Sequence, residues 1–170
     1  MPFLFDSFKG WKKYHADHHM SLHDVVLEYE QVEKDHSIHQ VKEGLARSWQ
    51  VMKEAVMTGL EQEMKSRSGM ISGGAQKVFR YPKAVLTREF QELVARALAA
   101  KEVNSCMGRI VAAPTAGASG IMPGVLFTLQ EIHGITDEAI IQAMLVSAGI
   151  GLIIEQRASL AGAVGGCQAR

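Results

Sequence analysis

The sequence holds only two cysteines, Cys106 and Cys167, in 170 residues. That excludes a disulfide framework, and a reducing compartment such as the cytoplasm is the simpler setting. Net charge is also absent, because 18 Lys and Arg balance 18 Asp and Glu. No basic field for nucleic acid or for an anionic membrane arises from such a balance. There is no long apolar leader. Phe3, Leu4, Phe5 and Phe8 are interrupted by Asp6 and Lys9, which breaks the pattern of a signal peptide. The most apolar stretch, 139–154, falls short of the ~20 residues of a membrane span and contains Gln142, so it reads as a buried helix.

What remains is rich in core-forming residues. Apolar side chains make up 47% of the chain, and the length suits a single domain over 1–170. Ser21 with Asp24 marks a helix start, and 21–34 reads as a helix striped by Leu22, Val25, Val26 and Tyr29. A second helix spans about 37–65, with Val41, Leu45, Trp49, Met52 and Val56 at helical spacing. The stretch 66–74 breaks the pattern, and Pro82 marks another turn. Thr87 caps a helix over 89–103, with Phe90, Leu93, Val94 and Leu98 expected inward. Residues 108–120 are irregular, and 110–113 is the one short strand candidate. Helices follow over 121–132, ended by Gly134, and from Thr136 to about Glu155. The last is apolar nearly all round and is expected at the centre of a bundle. The fold class is all-α, a helical bundle with glycine-rich loops between helices.

Three such loops stand out: Ser68-Gly69-Met70-Ile71-Ser72-Gly73-Gly74, Pro114-Thr115-Ala116-Gly117-Ala118-Ser119-Gly120 and Gly162-Ala163-Val164-Gly165-Gly166-Cys167. They are either turns at close helix contacts or anion sites built from hydroxyls and backbone N–H groups. Lys77 and Arg80 follow the first, and Arg109 precedes the second. No Gly-Lys-Ser/Thr follows, so neither is a P-loop. Ser119 lacks the Gly-x-Ser-x-Gly elbow of a hydrolase. His15, His18, His19 and His23 lack a His-Glu-x-x-His arrangement and read as a solvated helix start. Cys106 reads as a small buried hydrophobe beside Met107. Cys167 is open between ligand and structural residue.

Together these stretches resemble a specific family. The segments 68–74, Asn104-Ser105-Cys106-Met107-Gly108-Arg109-Ile110-Val111-Ala112-Ala113-Pro114-Thr115 with its continuation to Gly124, and 158–169 are similar to the α-subunit of iron–sulfur-dependent L-serine dehydratase, the L-serine ammonia-lyase. The resemblance covers essentially the whole chain. It implies a mostly helical catalytic domain and a [4Fe-4S] cluster held by three cysteines, with one iron open as Lewis acid. It implies L-serine as substrate and a β-subunit as partner. Cys167, in the Gly-Cys-Gln motif, is implied as a cluster ligand, with Cys106 the second candidate. Ser68, Gly69, Ser72, Thr115, Gly117 and Ser119 are implied at substrate-binding positions. The general base is not identified.

The chain also departs from that pattern. Val164 and Arg170 stand where Glu is usual, Ala75 where Asp is common, and Arg157 where Asn is typical. Ser119 lies near a position where some relatives carry cysteine. The family continues beyond Arg170, so a truncated subunit is expected, with an apolar helix face left for homodimerisation. The alternative is a non-catalytic helical scaffold that has lost the cluster.

Overall fold

The computed structural model describes residues 4–82 and 86–158, so Cys167 and the third loop lie outside the described residues. The protein is all-α. Among the described residues there are seven α-helices and no strand. They are α1 Phe8–His18, α2 Leu22–Lys34, α3 Ile38–Glu61, α4 Gly74–Arg80, α5 Arg88–Ser105, α6 Ile121–His133 and α7 Asp137–Glu155. Residues 110–113 form no strand. The chain divides into two compact units. Unit 1 contains the described residues up to Ala46 and from Asp137 onward, and unit 2 is Arg47–Thr136.

In unit 1, caps and aromatic packing set the helices. The Ser7 hydroxyl accepts from the Gly10 N–H and starts α1, a helix the sequence pattern did not mark. Ser21 does the same for α2 through the Asp24 N–H, as expected. Phe5 stacks on Trp11 with ring centroids 5.2 Å apart, and both join Val25, Val26, Tyr29, Leu145 and Ile153 in one core. α7 packs on α2. Among the described residues it is the helix long and apolar enough to cross a membrane, by length and composition only. Leu145 and Ile153 are in the core, whereas Ile150 and Ile154 are exposed. α7 therefore buries one face within its unit and not its whole circumference.

Unit 2 is organised by α5, which packs against α4 and α6. Its buried face is not the one the large side chains suggested. Phe90 is 50% exposed and Leu98 37%, while Ala95, Ala99, Ala100 and Val103 are buried. The reason is close backbone approach. A Cβ at Gly59 of α3 would fall 2.4 Å from the Ala99 carbonyl oxygen, so only the smallest side chains fit at this crossing. Ala55, Val56, Ala100 and Val103 form the adjoining core, with Leu60, Met64, Ile110 and Phe127 against it. The buried Arg96 is engaged through both terminal nitrogens. It pairs with Glu92 at 3.2 Å, donates to the Thr128 hydroxyl at 2.9 Å and lies over the Phe127 ring.

Two predictions follow from this packing. Gly59→Val should lower the stability of the chain by more than about 2 kcal/mol in urea unfolding through overpacking. Gly44→Val, on the same helix with nothing near its would-be Cβ, should leave it nearly unchanged. Separately, burial and then the Glu28 carboxylate, which accepts the Tyr14 hydroxyl at 3.1 Å, raise the Tyr14 pKa; burial and then nearby acids raise that of Tyr29. The unfolded phenols ionise near ~10. The folded state resists ionisation, so this stability is complete below that pH and is lost as pH rises above it. The melting temperature should therefore hold to about pH 10 and fall above it, less steeply in a Tyr14→Phe, Tyr29→Phe double variant.

Candidate functional site

The loop that follows α3 closes on itself. The Ser66 hydroxyl accepts the Ile71 N–H at 3.1 Å and lies 3.2 Å from the Ser68 hydroxyl. Backbone bonds run from Ser66 N–H to Ile71 O, from Gly69 N–H to Ser66 O and from Gly73 N–H to Met64 O. Gly69, at the tip, has φ 72°. Ser68, Gly69 and Ser72 are exposed on this loop. Lys77 donates to the Ser72 carbonyl at 3.1 Å. Ser72 also lines a cleft of about 260 Å³ with Glu63, Gly73, Gln76, Lys77 and Arg80.

The loop then enters α4, a helix absent from the sequence reading. It is too short to be stable alone and is held at both ends by α5. The Ala75 N–H donates to the buried Glu102 Oε1 at 3.2 Å. At the other end Gln91 donates its amide to the carbonyls of Val78 and Tyr81.

The second loop hangs from the same helix. Lys101 Nζ donates to the Gly117 carbonyl at 3.0 Å, and the Asn104 amide to that of Ala116 at 3.1 Å. The loop contains a 3-10 turn, Ala116–Ala118, and a cis Ala113–Pro114 peptide. Thr115 is half-buried and Gly117 exposed. Ser119 is 1% exposed, and its hydroxyl has no hydrogen-bond partner among the described residues. Both described loops are thus fastened to neighbouring positions of α5, residues 101, 102 and 104. The sequence pattern marks none of those three as a site residue. Polar residues on a helix read as a solvated face, and only the fold shows them turned to loop backbone.

Other candidates are placed elsewhere. Arg109 pairs with Glu54 and is not directed at the second loop. Cys106 caps the C-terminus of α5 and is a free, half-buried thiol, with Met107 beside it 85% exposed. The cysteine expected to be buried is therefore half-open. His15 bonds to the Met20 carbonyl, His18 stacks on Tyr14 and His23 pairs with Asp24. Among the described residues no three of His, Cys, Asp and Glu gather as a metal site. A four-iron cluster takes about four ligands, typically thiolates. The described residues offer one thiol, so they do not fit such a cluster.

Residues 17–170 match the family model of the serine dehydratase alpha chain. The chain is 36% identical over 154 residues to the L-serine dehydratase alpha chain of Peptoniphilus asaccharolyticus, covering 88% of this chain and 52% of that one. It is 33% identical over 151 residues to the probable L-serine dehydratase alpha chain of Bacillus subtilis (strain 168), covering 87% and 50%. A third relative, the L-serine dehydratase of Streptomyces coelicolor, is 30% identical over 161 residues, with 33% of its length covered. The chain spans about half the length of the two alpha-chain relatives. No solved structure matches it.

The anchoring of the second loop is open to test. Asn104→Ala should cost about 0.5–1.5 kcal/mol. It should also speed amide hydrogen exchange over 115–119 and leave exchange over 66–73 unchanged.

Proposed function

The chain belongs to the serine dehydratase alpha-chain family, and on that premise we propose that it carries the substrate loops of a cytoplasmic L-serine dehydratase. The observation that carries this reading is the fastening of both described motif loops to one stretch of α5, through Lys101, Glu102 and Asn104. Hydroxyls and backbone N–H groups of Ser68, Gly69, Ser72, Thr115, Gly117 and Ser119 would hold the carboxylate and amine of L-serine. The reaction removes the α-proton and the β-hydroxyl as water. The resulting aminoacrylate then takes up water to give pyruvate and ammonia.

The family resemblance also calls for a [4Fe-4S] cluster. Cys106 and Cys167 are too few thiols for one. In our reading Cys167 is a ligand, Cys106 the second candidate, and the remaining ligands come from the rest of the relatives' length or from a β-subunit. The shortage of thiols, with Ala75, Arg157, Val164 and Arg170 at altered positions, favours a second reading, a helical scaffold without catalysis.

Anaerobic reconstitution with iron and sulfide separates the two. Alone, the chain is expected to bind well under the ~4 irons of a full cluster. Combined with the other half of a relative's alpha chain and its β-subunit, it should acquire the cluster and form pyruvate from L-serine. Cys167→Ser should abolish both gains. A complete assembly that forms neither cluster nor pyruvate would establish the scaffold reading.

A further inference from the structure

Unit 1 holds a cavity that neither motif loop uses. α1 and α7 both pack on α2, and the start of α1 meets the end of α7 around a space of about 420 Å³. Ser7, Phe8, Lys9, Ile153, Ile154 and Arg157 line it, all of them residues of unit 1. The volume is in the range of small-molecule sites. Its walls are apolar. Ile153 belongs to the core of the unit, whereas Phe8 and Ile154 leave large apolar surface uncovered, 51% and 43% exposed.

The charge on this lining is of one sign. Lys9 and Arg157 are its ionisable residues, and neither pairs with a carboxylate among the described residues. The nearby Asp6 carboxylate accepts the Ser7 hydroxyl at 3.0 Å, and Arg157 reaches only the Asp6 main-chain carbonyl, at 3.3 Å. A guanidinium has about five N–H donors, so most of them remain. Lys9 stands in the first turn of α1, which contains no acid. The helix dipole favours a carboxylate there and disfavours a cation, so helix stability gives no reason for Lys9. Apolar walls beside cations without an acid fit a ligand with an aliphatic body and one anionic end. A bilayer offers the same two chemistries on a broad surface, but a cavity that reaches the buried Ile153 fits a single short chain better.

We propose that unit 1 binds a short aliphatic carboxylate, its chain against Phe8, Ile153 and Ile154 and its carboxylate on Lys9 and Arg157. The probes are hexanoate, butanoate and 1-hexanol, titrated at neutral pH into the full chain with ¹³C-labelled isoleucine methyl groups. Hexanoate should move the Ile153 and Ile154 resonances and leave those of Ile121 and Ile132, in unit 2, in place. It should bind about tenfold more tightly than butanoate, the gain of two buried methylenes, and about fivefold more tightly than 1-hexanol, the gain of one exposed ion pair. In a Lys9→Gln, Arg157→Gln double variant, hexanoate should lose that advantage while 1-hexanol keeps its affinity. A preference for hexanoate that survives in the double variant overturns the assignment. If that variant does not fold, the wild-type chain decides alone. Ile153 and Ile154 resonances that stay in place under hexanoate, or affinities for hexanoate and 1-hexanol that are equal, would refute the site. So would a chain that ignores hexanoate and binds phosphatidylglycerol vesicles, which would make this face a membrane surface.

Discussion

The close crossing of backbones along α5 is the constraint from which the architecture of unit 2 follows. Ala99 is buried where the α3 backbone at Gly59 comes within touching distance, and Ala95 and Ala100 are buried on the same helix as Ala99. Gly59 meets the Ala99 carbonyl, and a Cβ on Gly120 would fall 2.2 Å from the Ala97 carbonyl. Dispersion between close-packed atoms falls off steeply with separation, so such contacts give up little when they are tight and much when they loosen. The same crowding leaves α5 able to reach its neighbours' backbones with short and long polar side chains.

That reach turns a packing helix into a mount for loops. Lys101 and Asn104 take carbonyls of the 3-10 turn, and Glu102 takes the Ala75 N–H in the first turn of α4. Gly120 is seated on Ala97 where α6 begins. A loop tied to a rigid element holds its hydroxyls in a narrower range than one closed only on itself. The first loop has both restraints, its own Ser66 bonds and the α4 anchor.

Much of the helical framework was legible because its punctuation is local. Ser21 and Thr87 cap where their side chains said they would, and Gly134 ends α6 in a left-handed conformation. α3 stops at Glu61, short of the expected 65, because the chain turns into the Ser66 loop. α1 was not legible, since its apolar signal is one buried Trp11 among Lys and His. α4 was not legible either. It is short, and its N-cap is Gly73, without a capping side chain. The inward face of α5 was misassigned to Phe90 and Leu98 because large apolar residues outweigh alanine in any pattern, and only tertiary contact shows that space for them is missing. The two described motif loops were found by their residues. Their shared dependence on Lys101, Glu102 and Asn104 joins segments distant in sequence, and no local pattern carries it.

The two-ended hold on α4 separates where a mutation lies from what it disturbs. Gln91 and Glu102 stand three turns apart on α5 and fix opposite ends of a helix that has little cohesion of its own. The exposed Lys77 and Arg80 between those ends line the cleft, and Lys77 also holds the Ser72 carbonyl of the first loop. A further restraint on that loop comes from a helix that begins fourteen residues after Gly74, at Arg88. The lining of the cleft and the two-ended hold on α4 are thus encoded in separate stretches of the chain.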